Sequence, residues 1–327
     1  MIISLFKKND LSTFILMIFI GFLLWMNEFL FLGSAEFESA SNSPFYDLLM
    51  NFIPKSAIFT KILAFILIVS QALMINQIGQ KSKMLRNKKM LPGMIYIILM
   101  SLQSQVINLH PAIFANFFLI GSISISVIDT ASRRAIIRVF NLGLFISLAG
   151  LCFFPAYSLF FAVFFLMDVF SIVKIKGLFA YLIGFATPIF IGANYHFHFG
   201  NLGDRITAFL ENFNNFGLVM LPSEPQTIFL IAYTALLFLI SIVHLSMAQT
   251  SATTASLRSG IGNIGIFFVF LAVVFVFSYK QWILSYCLLF VPTSLALTVW
   301  LVDQRKKWVA ELAMAILLGL IVLEKLL

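Results

Sequence analysis

The chain has 327 residues, 61% hydrophobic and only 10% charged, where a soluble domain carries roughly 25% charged residues. So little charge cannot cover a water-facing surface, which excludes an ordinary soluble enzyme and makes lipid the solvent. The formal net charge of +8 does not argue for nucleic acid, because the cytoplasmic loops of membrane proteins collect Lys and Arg.

Lys7 and Lys8 precede an apolar run over residues 11–32. That run is longer than the roughly 7–15 apolar residues of a signal peptide, so it is read as a first membrane span and not as a cleaved leader. A membrane helix needs about 20 mostly apolar residues. Charge clusters and Pro or Gly breaks divide the remaining chain at matching intervals. The predicted spans are 11–32, 57–78, 91–107, 112–130, 136–154, 157–173, 177–197, 226–246, 262–279, 283–302 and 309–325. The expected fold is therefore an all-α polytopic transmembrane bundle of about eleven spans.

Alternating from a cytoplasmic N-terminus, the inner segments hold Lys7 and Lys8, the cluster from Lys81 to Lys89, Arg133, Arg134 and Arg138, Lys174 and Lys176, Arg258, and Arg305 to Lys307. Only Lys55, Lys61, Arg205, Lys280 and Lys325 fall toward the outside. This asymmetry follows the positive-inside rule and places the C-terminus outside. The expected location is the bacterial inner membrane.

Two outer loops are long, 33–56 and 198–225, and each contains an amphipathic stretch. Phe45, Leu48, Leu49 and Phe52 share one helical face, as do Ile206, Phe209, Leu210 and Phe213. Such helices are expected to lie along the membrane surface. The chain reads as one membrane domain, 1–327. Residues 1–198 form a polar-lined part of seven spans, 199–225 a loop with a surface helix, and 226–327 an apolar part of four spans.

Polar residues inside spans seek partners within the bundle, since lipid offers none. Gln71 and Asn76 lie in the second span, Gln103 in the third, Asn116 in the fourth, Asn141 in the fifth and Asp168 in the sixth. Gln71, Gln103 and Asp168 are the candidates for an intramembrane pathway. Exposed to lipid, Asp168 would cost about 2.5–3.5 kcal/mol on insertion scales, so a polar surrounding is expected for it.

At the outer side, Glu28 faces Lys61 across a helical hairpin, either as an ion pair or with Lys61 as a phosphate-binding cation. His110, His196, His198 and Arg205 gather with Glu36, Glu38 and Asp47, the densest set of acid–base groups in the chain. Two histidines at i and i+2 on a helix point about 200° apart, so no shared metal is expected of His196 and His198. Cys152 and Cys287 both sit in apolar runs, away from any metal-ligand or disulfide spacing. No cofactor is implied. Gly260, Gly262 and Gly265 spell a G-x-G-x-x-G without the preceding strand that a dinucleotide needs, and are read as helix-packing glycines. No G-x-S-x-G nucleophile elbow occurs.

Several short stretches carry a resemblance. They are Ser4 to Lys8, Leu91-Pro92-Gly93-Met94-Ile95-Tyr96, His110-Pro111-Ala112, Ala115 to Phe118, Asn141 to Leu144, Phe153 to Ala156, and Gly184 to Pro188. On these, the first 190 or so residues resemble an uncharacterised family of polytopic inner-membrane proteins of the Bacteroidota. The layout is also similar, more distantly, to the C-type membrane glycosyltransferases that use polyprenyl-phosphate sugars. In that class an acid of the first outer loop is essential, and Glu36, Glu38 and Asp47 occupy the corresponding loop. The chain departs from that class in having no Asp-Asp or Asp-x-Asp/Glu motif of the better-marked members, and Glu36-Phe37-Glu38 is a loose echo of it.

Three functions follow as expectations. The first is an accessory or structural subunit of an envelope assembly, partnered by membrane lipid and other envelope proteins. The second, implied by the resemblance, is glycosyl transfer from a polyprenyl-phosphate-linked sugar, with Glu36, Glu38 or Asp47 catalytic and Lys61, His110, His196, His198 or Arg205 binding substrate. The third is a transporter or lipid flippase using Gln71, Gln103 and Asp168.

Overall fold

The structure is a computed structural model. It describes residues 6, 10–30, 43–54, 56–82, 84, 90–102, 108–128, 135–166, 169–215, 217–219, 225–252, 254–278, 282–304 and 306–326. Among these the fold is helical throughout. In chain order the helices are α1 (Leu11–Leu30), α2 (Pro44–Met50), α3 (Ala57–Lys81), α4 (Leu91–Met100), α5 (Pro111–Ile128), α6 (Ala135–Cys152), α7 (Phe154–Phe165, largely 3-10), α8 (Val169–His198), α9 (Leu202–Glu211), α10 (Pro225–Ser251), α11 (Ala255–Val276), α12 (Trp282–Asp303) and α13 (Lys307–Leu326).

Eight of them, α1, α3, α5, α6, α8, α10, α11 and α12, are long and apolar enough to cross a membrane. The helical bundle expected from composition is thus present, with eight helices that could span a membrane. Each of the eleven predicted spans contains a helix, but three of those helices are not among the eight: α13, although 20 residues long, and the short α4 and α7. In the third, α4 stops at Met100, where the Ser101 hydroxyl turns back to the Ile97 carbonyl at 2.7 Å. In the sixth, α7 ends at Leu166, whose backbone is extended. Backbone that leaves the helix within a bilayer is tolerated only when buried in protein or lining a cavity. All ten residues of α4 are buried.

The core forms around α12, whose residues from Leu284 to Leu301 are buried without a break. It packs against α4, α5, α10 and α11, so the C-terminal helices share one core with the N-terminal ones. Since lipid is as apolar as leucine, helices in a membrane are held by close packing and by hydrogen bonds between them. Asn263 Nδ2 on α11 donates to the Ser126 carbonyl of α5 at 2.8 Å. Tyr233 OH on α10 donates to the Ala313 carbonyl of α13 at 2.9 Å. Asn27 Nδ2 donates to the Lys325 carbonyl at 3.1 Å, while Lys325 Nζ donates to the Leu24 carbonyl, joining the first and last helices.

Glycine sets the tightest crossing. A Cβ at Gly143 on α6 would run into the Tyr181 carbonyl of α8, and one at Gly184 on α8 into the Phe140 carbonyl of α6. The two backbones touch reciprocally there, as small residues permit. One turn later Pro188 interrupts α8. It has no N–H to give the Gly184 carbonyl, and its ring loosens that turn.

The expected glycine packing of Gly260, Gly262 and Gly265 holds at one position. Gly260 lies against the Val127 carbonyl, 3.2 Å from a built Cβ, whereas Gly262 and Gly265 line an open groove between α10 and α11.

Candidate functional site

Beyond the Gly143–Gly184 crossing, α2 lies over the surface where α6 and α8 run side by side. Pro44 at the first helical position presets the backbone of this short helix. The result is a groove of about 320 Å³ lined by Pro44, Phe45 and Leu48 of α2, Leu144, Leu148 and Leu151 of α6, and Thr187, Pro188, Ile191, Gly192, Tyr195 and His196 of α8. That volume lies within the roughly 300–1,000 Å³ of small-molecule sites. Thr187 turns its hydroxyl to the Ile183 carbonyl at 2.6 Å, leaving its methyl for the groove. Polarity enters only at the end nearest α9.

That end is built from residues far apart in sequence. His196 is buried, 8% exposed, and its Nδ1 lies 3.1 Å from Asn201 Oδ1. Asn201 precedes α9 and accepts the Arg205 backbone N–H through its carbonyl. Arg205 then reaches across to α2, where its Nη1 meets Asp47 Oδ2 at 2.5 Å. Both side chains remain one-third exposed. An apolar groove thus ends in a polar rim running from His196 through Asn201 and Arg205 to Asp47.

α9 rests on the start of α7. Phe209 and Phe213 stand edge-on to Phe154, with ring centroids 4.9 and 5.0 Å away, while Ile206 and Leu210 stay exposed. On α2 the buried residue is Tyr46, whose hydroxyl donates to the Leu109 carbonyl at 3.2 Å. Phe45 and Leu48 line the groove, and Phe52, past the helix end, is exposed.

The other candidates are placed as follows. Lys61 is buried and donates to the Glu28 carbonyl at 2.8 Å, with the Glu28 carboxylate 4.0 Å away. His110 is buried just before α5. His198 is exposed, and because α8 continues through it, His196 and His198 point to different sides of the helix. Glu36, Glu38, Gln103 and Asp168 lie outside the described residues.

Gln71 belongs to a buried network. Its Nε2 donates to the Ile113 carbonyl at 2.6 Å, and its Oε1 accepts from Tyr96 OH at 2.6 Å. Asn116 Nδ2 donates both to Tyr96 OH at 3.1 Å and to the Cys287 carbonyl at 3.2 Å. Four helices, α3, α4, α5 and α12, meet in these bonds. Nearby, Asn76 Oδ1 accepts the Gly93 backbone N–H at 2.7 Å, and the Trp25 indole donates to Ser101 Oγ at 3.0 Å.

Sequence reasoning missed Tyr96, Tyr195 and Asn201. A usable signal existed for Tyr96 alone: a phenol in a fully apolar run must find a buried partner, and the hairpin neighbours offer Gln71 and Asn116. Comparison of the chain with family models, with curated proteins and with solved structures returns no match.

Proposed function

We propose that the chain is a structural or accessory subunit of an envelope assembly. It is a multi-pass protein of the bacterial inner membrane, with its N-terminus in the cytoplasm and α2 and α9 on the outer face. The distribution of basic residues supports that orientation, since Lys81, Arg138 and Arg258 all lie at the end of the bundle opposite α2.

One observation carries the accessory reading. Four of the larger polar side chains buried among the described helices tie helix to helix: Gln71, Tyr96 and Asn116 bind one another and two backbone carbonyls, and Asn263 binds a third. Side chains used in this way fix the bundle. On the outer face Asp47 is engaged by Arg205. Exposed apolar residues beside it, Phe52 at 81% and Leu210 at 55%, suit contact with another membrane or envelope protein.

The test is site-specific photo-crosslinking in living cells from positions 52 and 210, with Gly319 on α13 as the comparison site. Discrete adducts with one or a few envelope proteins, formed from 52 or 210 and not from 319, are the expected result. Crosslinks to lipid alone at all three positions would overturn the reading.

A further inference from the structure

We propose that the groove between α6 and α8 holds one hydrocarbon chain of a phospholipid whose ethanolamine-type headgroup rests on the Asp47–Arg205 pair. The inference does not depend on the accessory role.

The groove's position names the solvent that fills it. Its α8 wall, Thr187 to His196, belongs to a helix segment apolar and long enough to span a membrane. Phe190 beside it and Ile191 on its wall are exposed, as lipid-facing residues are. A hydrocarbon chain lying along Leu144, Leu148 and Ile191 meets only carbon until it reaches His196. Phe45 and Leu48 cover it from the α2 side, so the chain is enclosed more than a lipid on a flat helix surface.

Chain packing alone would accept any lipid, because lipid tails are as apolar in the bilayer as in the groove. Selection therefore falls to the rim. Asp47 follows Tyr46 and precedes the groove residue Leu48, so the helix that covers the chain also carries the anion. Arg205 is linked to the groove through Asn201 and His196. The rim thus presents a cation and an anion side by side, each one-third exposed.

A headgroup with phosphate and ammonium finds an opposite charge for both of its own. An anionic glycerol headgroup gains from Arg205 but is repelled by Asp47, and like-charge contact discriminates against it. A primary ammonium also donates hydrogen bonds to the acceptor sites that Arg205 leaves on the carboxylate, which a quaternary choline cannot do.

Gly192 gives a clean way to close the groove. It lines the cavity, and nothing lies within 4 Å of a Cβ built there. Gly192→Leu therefore projects a side chain into the groove from an unobstructed Cβ, and it favours the helix. Gly319→Leu, at an equally open glycine on α13, is the matched control.

The full-length protein is reconstituted into vesicles of equal phosphatidylethanolamine and phosphatidylglycerol, re-extracted in mild detergent and weighed by native mass spectrometry. The expected result is one retained phospholipid, enriched in the ethanolamine class. It is lost in Gly192→Leu and kept in Gly319→Leu, and the class preference disappears in the Asp47→Ala/Arg205→Ala double variant. Equal retention by Gly192→Leu and the parent, or no preference for ethanolamine in the parent, overturns the proposal.

Discussion

Asp47 and Arg205 are 158 residues apart in the chain, yet the guanidinium of one lies 2.5 Å from the carboxylate of the other. The bond joins the two surface helices, α2 and α9, that follow different spans. It fixes the polar end of a groove whose remaining walls are apolar.

Exposure limits what this pair contributes to stability. Both side chains are one-third solvated, and ion pairs of that kind contribute about 0–1 kcal/mol. A double-mutant cycle with Asp47→Ala and Arg205→Ala, followed by unfolding in detergent, is expected to give a coupling within that range. It should shrink at high salt, as screened surface pairs do.

The buried network is expected to behave differently. Asn116→Leu removes the donor to Tyr96 OH and to the Cys287 carbonyl, an oxygen that already lies within the helical ladder of α12. A loss of about 0.5–1.5 kcal/mol for each hydrogen bond removed is expected. Tyr96→Phe takes a donor from Gln71 Oε1 and an acceptor from Asn116. A combined Asn116→Leu/Tyr96→Phe variant should lose less than the two single losses added together, since they share one bond. Thermal midpoints in detergent report both.

Glycine positions separate by what faces them. Gly184→Val drives a side chain into the Phe140 carbonyl, a clash with backbone that a rotamer change cannot relieve. Destabilisation of about 1–3 kcal/mol or more, with lower membrane levels, is expected. Gly192→Ala meets nothing within 4 Å and should stabilise α8 by roughly 0.5–1 kcal/mol. Parallel measurement of folded yield and melting separates the two.

The long helices were legible because an apolar run of about 20 residues has few alternatives in lipid. α4 and α7 were not. The predicted spans run on past Met100 and Phe165, but the backbone stops being helical where Ser101 and Leu166 leave the helix. Burial in protein, which a hydropathy window does not see, permits the break. Asp47, His196 and Arg205 were identifiable singly, as polar groups expected on the same face. Their connection through Asn201 was not, because no spacing rule links α2 to α9. The groove was hidden for a related reason. It depends on α2 covering α6 and α8 beyond their contact at Gly143 and Gly184, a relation between three helices that no segment states alone.

Orientation has its own test. Cys152 and Cys287 are both buried, so a cysteine introduced at Phe52, 81% exposed, is the accessible thiol to follow. A membrane-impermeant maleimide added to intact spheroplasts is expected to label Phe52→Cys and to spare Lys176→Cys, which lies toward the other end of α8. The reverse pattern would invert the assigned topology.

The most direct test of the accessory role is replacement of the outer-loop carboxylates in cells lacking the wild-type gene. Glu36→Gln, Glu38→Gln and Asp47→Asn, each present at normal membrane levels, are expected to correct the deletion phenotype in surface polysaccharide or glycoprotein profiles as the parent does. Loss of function in any one of them, with the protein folded and present, would contradict the account and point to a carboxylate that performs chemistry.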